Sequence, residues 1–237
     1  MVVQEANRKK RVKWCKERRA RTVDNYWKKV IFSDESQVML GTNNCVYIWE
    51  KDGEKYNPHL ICSRSERKIS LMIWECICYD GVGTSTTVEG NINSAKYIDI
   101  LDKNLRPVVV WYFEGKEYLF MDDNAPVHRA NTAENYKDQN EATSMEWPAQ
   151  SLDLNITENI WLYMKRELQK SVVDITTKND LLREIQSVSR NIELDYVRNL
   201  YQSIPDRLNN VIEMKGHLPN FKVRFAPNGV KTSVHKK

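Results

Sequence analysis

Apolar runs rich in β-branched and aromatic residues dominate much of the first two thirds of the chain. Runs of this kind, bounded by turn-forming residues, are typical of strands. The predicted strands cover residues 30–40, 45–49, 69–79, 84–90, 117–123 and 143–147, with a DGVG turn at 80–83. Within the third strand, Cys76 and Cys78 are two residues apart, which predicts that both pack on the same face of the sheet.

Apolar positions at helical spacing predict helices between the later strands and throughout the last third of the chain. The predicted helices cover residues 6–22, 93–105, 126–139, 155–170, 177–192 and 194–216, the last broken at Pro205. Consecutive strands are followed by alternating strands and helices, and then by helices alone. This order of elements predicts an α/β domain. We expect a mixed sheet flanked by helices, with a basic N-terminal arm helix and extra C-terminal helices.

Charge is distributed unevenly along these elements. The 237-residue chain has a net charge of +4, yet residues 1–30 hold eleven Lys or Arg against three acids. A basic helix on a more acidic body predicts a polyanionic partner such as DNA, with Arg8, Lys9, Lys10 and Arg11 as its contacts. The alternative is a solvated helix face. The RKKR run at 8–11 also fits a nuclear-import patch, which predicts a nuclear location.

Other features of the composition narrow the class of protein. No apolar run approaches the length of about 20 residues that a membrane span needs, and the basic N-terminus has no apolar signal-peptide region. The five cysteines form no CxxC pair and the four histidines are scattered, so their spacing does not favour zinc. Free thiols suit a reducing compartment.

Acidic residues at or near the ends of predicted elements are the candidate chemical groups. Asp34 and Asp123 follow buried runs, and Glu158 lies in the first turn of the helix after the last strand. If the strands are parallel neighbours, these acids meet at one sheet edge, where α/β proteins place ligands. Glu35 and Asp122 are rivals because side chains alternate along a strand, and only one of each pair can join the site.

Clustered carboxylates repel each other unless a cation lies between them. Magnesium prefers oxygen ligands, and two such ions about 4 Å apart serve phosphodiester chemistry. The acids therefore predict a site for two Mg²⁺ or Mn²⁺ ions. For any single acid, the alternative is a turn or helix cap.

Three blocks resemble the signature blocks of the Tc/mariner superfamily of transposases. They are VIFSDES at 30–36, DDNAPVH at 122–128 and WPAQSLDLNITENIW at 147–161, and the likeness runs from about residue 6 to 216. The resemblance implies a ribonuclease-H-like fold and an Asp-Asp-Glu triad at Asp34, Asp123 and Glu158. Thirty-four residues separate Asp123 from Glu158, the spacing of the Tc-like branch.

The resemblance also implies cut-and-paste DNA transposition. The domain at 29–216 would cleave a phosphodiester at a transposon end and join the freed 3′-hydroxyl to target DNA, between an arm or linker helix at 1–28 and a flexible basic tail at 217–237. His128 and Gln150 are further candidate DNA contacts, for which a packed or solvated side chain is the alternative. A homodimer is compatible with this function.

This chain departs from the family pattern at several positions. Leu152 and Ile156 stand where the family usually has Pro, and Glu75 stands where it usually has Gly. The chain begins near the linker that follows the family's helix-turn-helix region, so we expect that region to be missing. The alternative function is therefore an inactive or co-opted relic that only binds DNA or a protein partner.

Overall fold

A computed structural model describes residues 3–40, 69–171 and 175–218. The strand predicted over 45–49 and nearly all of the tail at 217–237 lie outside these ranges. No helix in the described ranges is long and apolar enough to cross a membrane.

The described residues form a five-stranded mixed sheet. Its strands are β1 (Val30–Leu40), β2 (Ile69–Cys78), β3 (Gly81–Val82), β4 (Thr86–Thr87) and β5 (Leu119–Met121). Strand β2 pairs antiparallel with β1, β3 and β4, whereas β5 pairs parallel with the beginning of β1. The expected mixed sheet is confirmed.

Helices cover both faces of the sheet. They are α1 (Glu5–Arg18), α2 (Ser94–Ile100), α3 (Arg106–Phe113), α4 (Asn131–Gln139), α5 (Thr157–Lys170), α6 (Lys178–Arg190), α7 (Leu194–Gln202) and α8 (Ile204–Glu213). A π-helical turn at Leu101–Leu105 joins α2 to α3.

Two apolar cores lie on opposite faces of the sheet because side chains alternate along each strand. Phe32, Ile73 and Ile77 belong to the larger core, which α1 and α5–α8 cover. The smaller core holds Ile31, Trp74 and residues of α2–α4. Cys76 and Cys78 are both buried there as free thiols, which confirms their predicted common face.

Several predicted elements differ from those in the structure, and the helix predicted over 126–139 begins only at Asn131. The helix predicted over 93–105 continues into α3, where Pro107 lies in the first turn and so disrupts no intrahelical hydrogen bond. The strand predicted over 143–147 is reduced to one bridge between Ser144 and Phe120. The strand predicted over 84–90 is reduced to the two residues of β4.

Candidate active site

Asp34 lies in the middle of β1 and not at its end, because the strand continues to Leu40. The parallel register pairs Phe32 with Met121, the last residue of β5. Two residues further along, Asp34 is level with Asp123, just beyond the end of β5. The site therefore forms where β5 ends. Strand β1 continues past this point, so the sheet has an edge here only on the β5 side.

Helix α5 covers the Asp34 side chain. The Trp161 indole Nε1 donates a hydrogen bond to Asp34 Oδ2 at 3.1 Å, and Thr157 Oγ1 lies 3.4 Å from the same oxygen. Burial, followed by repulsion from Glu158 and Glu35, raises the pKa of Asp34 to about 8. The charged form of this carboxyl therefore lacks adequate compensation in the metal-free protein.

Glu158 lies in the first turn of α5, beside Asp34, where the positive end of the helix dipole favours a carboxylate. Burial nevertheless raises its pKa, and Lys165, about two turns further along the helix, opposes this change. Lys165 Nζ donates a hydrogen bond to Ser36 Oγ at 3.2 Å, next to both acids. The structure thus brings Asp34 and Glu158 together.

Asp123 has a more exposed side chain and is engaged by local groups. Its Oδ1 accepts a hydrogen bond from the Ala125 amide at 2.8 Å and lies 2.7 Å from His128 Nδ1. The histidine contact, with help from the Ala125 amide, lowers the pKa of Asp123. Because β5 ends at Met121, strand pairing does not fix the orientation of this carboxylate.

His128 is buried between two acids. Its ring stacks on Tyr97 with centroids 4.1 Å apart, and its Nε2 lies 3.4 Å from Glu35 Oε1. Burial alone would lower the pKa of His128, but the Asp123 and Glu35 carboxylates outweigh it and raise the pKa to about 10. The imidazolium therefore links Glu35, on one face of the sheet, to Asp123.

Asp122 faces away from Asp34, into the smaller core. Its Oδ2 accepts hydrogen bonds from Tyr97 Oη at 2.9 Å and from Lys137 Nζ at 3.0 Å. Arg129 Nη2 lies 3.1 Å from the other carboxylate oxygen. The alternation along the chain thus separates Asp122 from Asp123 and Asp34 from Glu35, as expected.

The three candidate acids do not form a ready-made metal cluster. Among the described residues, no group of three acid, histidine or cysteine side chains is arranged to hold an ion. Asp34 and Glu158 fit a hard cation as a pair of oxygen donors that lacks positive charge. Asp123 fits as a third donor only if its side chain turns away from His128, which its exposure and the end of β5 permit.

The predicted DNA contacts have different environments. Lys9 and Lys10 are exposed on α1, and Arg8 is half-buried. Arg11, in contrast, is 0 % exposed and paired with Asp153, so its charge is not accessible to a phosphate in this arrangement. His128 is 3 % exposed and is also unavailable to DNA in this arrangement. The Gln150 side chain accepts hydrogen bonds from the backbone of Gln4 and the side chain of Asn7, which ties its loop to α1.

Sequence reasoning missed several groups around the site. It gave no role in the site to Thr157, Trp161, Lys165 or Lys137. The spacing of Trp161 and Lys165 after Glu158 is a signal that could have placed them on its side of α5, since residues three and seven positions apart share a helix face. Nothing in the sequence pairs Lys137 with Asp122, because their contact depends on how α4 packs.

The same overall fold occurs in the mariner transposase Mos1. The crystal structure of the Mos1 catalytic domain superposes with a TM-score of 0.71 at 15% identity, over 91% of this chain and 97% of that one. A Mos1 paired-end complex with the left transposon end gives a TM-score of 0.72 at 16% identity, over 90% of this chain and 63% of that one. Another Mos1 structure contains the catalytic domain with Raltegravir and Mg, with a TM-score of 0.70.

Nematode transposases are similar in sequence. The Tcb1 transposase of Caenorhabditis briggsae is 30% identical over 215 residues, which are 89% of this chain and 77% of the relative. The Tc3 transposase of Caenorhabditis elegans is 29% identical over 196 residues, which are 82% of this chain and 59% of the relative. This chain thus spans less than the full length of either protein.

The mixed sheet flanked by helices is a ribonuclease-H-like fold, as in the Mos1 catalytic domain. Residues 29–181, more than half of the chain, match the family of DDE superfamily endonucleases. The chain belongs to this family, as a transposase catalytic domain of the Tc/mariner type. The resemblance drawn from the three sequence blocks is confirmed.

Proposed function

We propose that this chain cleaves a phosphodiester at a transposon end and transfers the freed 3′-hydroxyl to target DNA. The observation that carries this proposal is the pairing of Asp34 with Glu158, two half-buried acids with raised pKa values at the point where β5 ends. A purely structural carboxyl at such a position would be expected to have a full set of partners. An acid pair without them is suited to a cation.

Two Mg²⁺ or Mn²⁺ ions would supply an activated water or hydroxyl and stabilise the leaving oxygen. Asp34 and Asp123 would hold both ions between them, and Glu158 would complete the second position. The Trp161 indole limits Asp34 to one orientation. Asp123 would join them only by turning away from His128, whose contact lowers the pKa of that carboxyl and keeps it charged.

DNA is the proposed partner, and α1 supplies its phosphate contacts through Arg8, Lys9 and Lys10. Two of the three side chains are exposed on one helix, which suits a polyanion with regularly spaced charges. The Mos1 structures with a transposon end support the same partner for this chain. Their paired-end arrangement also supports a homodimer.

We also propose a nuclear location, since the substrate would be chromosomal DNA. Arg11 is buried in the RKKR run, so Arg8, Lys9 and Lys10 remain as the basic import signal. A fluorescent fusion of the full chain should enter nuclei, and Lys9→Ala with Lys10→Ala should reduce its nuclear fraction. Equal distribution of both proteins would reject this location signal.

Metal binding can be tested without DNA. Because Mn²⁺ would bind only the folded state and not the unfolded chain, the thermal unfolding midpoint should rise with Mn²⁺ concentration. Asp34→Asn removes repulsion from Glu158, so it should raise the metal-free midpoint and abolish the response to Mn²⁺. Asp99 lies on α2 in an exposed ion pair with Lys103. Asp99→Asn is therefore the matched control and should respond to Mn²⁺ like wild type.

The corresponding activity is nicking of supercoiled plasmid in Mn²⁺, which wild type should show and Asp34→Asn should lack. A wild-type midpoint that is unchanged at millimolar Mn²⁺, together with no nicking, would reject the proposal. The chain would then act only as a DNA-binding or protein-binding module.

A further inference from the structure

The segment at residues 148–156 determines where Glu158 lies, because it leads from the end of the sheet directly into α5. It has no regular secondary structure. Its own backbone bonds are few, with Leu154 and Asn155 amides donating to the Ser151 carbonyl at 3.1 and 3.3 Å. Groups outside the segment must therefore fix it.

Arg11 of α1 is the first such group. Its guanidinium donates from Nη1 to the Gln150 carbonyl, to Ser151 Oγ and to Asp153 Oδ1, each at 2.8 Å. Nη2 donates to Asp153 Oδ2 at 2.6 Å, and Nε donates to the Gly216 carbonyl at 3.1 Å. The fork-to-fork contact with Asp153 fixes orientation as well as distance.

Arg207 of α8 holds the other end of the segment. Its Nη1 donates to the Asp153 carbonyl at 2.9 Å, and its Nη2 donates to Asn159 Oδ1 at 2.6 Å. Nε is itself oriented by Ser203 Oγ at 2.9 Å. One guanidinium thus connects the middle of the segment to the residue that follows Glu158.

Both arginines come from outside the stretch that matches the endonuclease family, which covers residues 29–181. Helix α1 precedes that stretch and α8 follows it, and the two helices pack against each other. Their arginines converge on Asp153, one through its carboxylate and the other through its carbonyl. In this chain, both guanidinium groups that hold the segment before Glu158 therefore lie outside the matched stretch.

We propose that Arg11 and Arg207 are positioning residues for Glu158, which hold the 148–156 segment so that this acid meets Asp34. The inference rests on the proposed function, in which Glu158 is a metal ligand. Neither arginine touches the reacting groups. Each acts through the segment, in the way that groups bonded to metal ligands tune metal affinity.

Arg207→Ala is the variant of choice, because Arg11→Ala would leave Asp153 as an unpaired buried charge and could prevent folding. The first measurement is backbone hydrogen exchange of the full-length, metal-free chain. Peptides covering residues 148–158 should exchange faster in Arg207→Ala, and Arg207→Lys should restore part of the protection. Arg183→Ala, in an exposed ion pair on α6, is the control and should exchange like wild type there.

The second measurement is the Mn²⁺ concentration that gives half of the maximal rise in the unfolding midpoint. Misplacing Glu158 should increase it about 10-fold in Arg207→Ala, with the affinity for DNA unchanged. Unchanged exchange at 148–158 would overturn the inference, and so would faster exchange with an unchanged Mn²⁺ requirement. If wild type itself shows no Mn²⁺ response, the proposed function fails, and hydrogen exchange alone decides whether Arg207 holds the segment.

Discussion

Three buried or half-buried carboxyls near the central strands differ in how they are compensated. Asp122 accepts hydrogen bonds from Tyr97 and Lys137, whereas Asp34 accepts one from the Trp161 indole. Glu75 is paired with Asp34 across the strands and accepts a hydrogen bond from Ser189 Oγ, but its Oε2 has no hydrogen-bond partner among the described residues. Asp122 is therefore suited to a structural role and Asp34 to binding a cation. Glu75 is suited to remaining protonated.

Glu75 should make stability depend on pH. Burial raises its pKa from the ordinary 4.5 to about 7, although the hydrogen bond from the Ser189 hydroxyl opposes the rise. The unfolded chain therefore loses this proton at lower pH than the folded chain. The stabilisation is complete below pH 4.5 and is lost as pH rises to about 7, at a cost of roughly 3 kcal/mol.

Glu75→Gln should remove this loss, so the variant should exceed wild type in unfolding free energy at pH 8 and not at pH 4.5. Denaturant titrations at both pH values measure the difference, with the exposed Glu114→Gln as control. An identical pH dependence of Glu75→Gln and wild type would show that Glu75 ionises freely in the folded protein.

Lys137 should contribute strongly to the stability of the fold, because it neutralises Asp122 at a site where both side chains are 1% exposed. Lys137→Met keeps the apolar stem and leaves Asp122 without its main cation. We expect a loss of roughly 3 to 5 kcal/mol in unfolding free energy. Lys103→Met, which breaks an exposed ion pair with Asp99, should cost under about 1 kcal/mol. Similar losses in the two variants would contradict this assignment.

At the scale of elements, the junction of α1 with α8 depends on Gly216. This residue follows α8 with φ +80°, and its amide donates to the Val211 carbonyl at 2.8 Å. A Cβ placed there would lie 2.4 Å from the Arg8 carbonyl oxygen. The close approach brings the Gly216 carbonyl within reach of Arg11.

Gly216→Ala should therefore cost more stability than the left-handed backbone alone explains. Gly115→Ala is a matched comparison, because its φ is +67° but nothing lies within 4 Å of a Cβ there. We expect about 1 kcal/mol for Gly115→Ala and more than about 2 kcal/mol for Gly216→Ala, measured by chemical unfolding. Equal costs would mean that α1 moves aside without loss.

The sequence predicted elements well where local pattern and packing agree. Strands β1 and β2 and helix α5 have strong periodicity, and their bounds differ from prediction by two residues at most. Helix α3 was missed because its VVVWYF run has β-branched and aromatic residues, which favour strands when packing is unknown. The acids were predictable from the sequence blocks, whereas the Arg11 contacts were not, since they join residues more than 130 positions apart.

At the scale of the whole molecule, helix α1 combines two roles that its composition alone does not separate. One face packs Trp14 and Cys15 into the larger core and directs Arg11 to Asp153. The other face exposes Lys9 and Lys10 to solvent. The basic run at the N-terminus is therefore partly a structural element and partly the proposed DNA-binding surface.

DNA binding by this surface should be weak, salt-sensitive and indifferent to sequence, because phosphate contacts carry no sequence information. Replacing Lys9 and Lys10 with Ala should weaken binding equally on unrelated duplexes. It should also reduce the slope of log affinity against log salt by about 2, as the loss of two phosphate contacts requires. Fluorescence anisotropy at several salt concentrations measures both effects.

The control removes the same charge from exposed positions around α2 and α3, with Lys103→Ala and Lys116→Ala. If the control weakened binding as much as the α1 variant, the effect would reflect net charge alone, and α1 would not be the DNA surface.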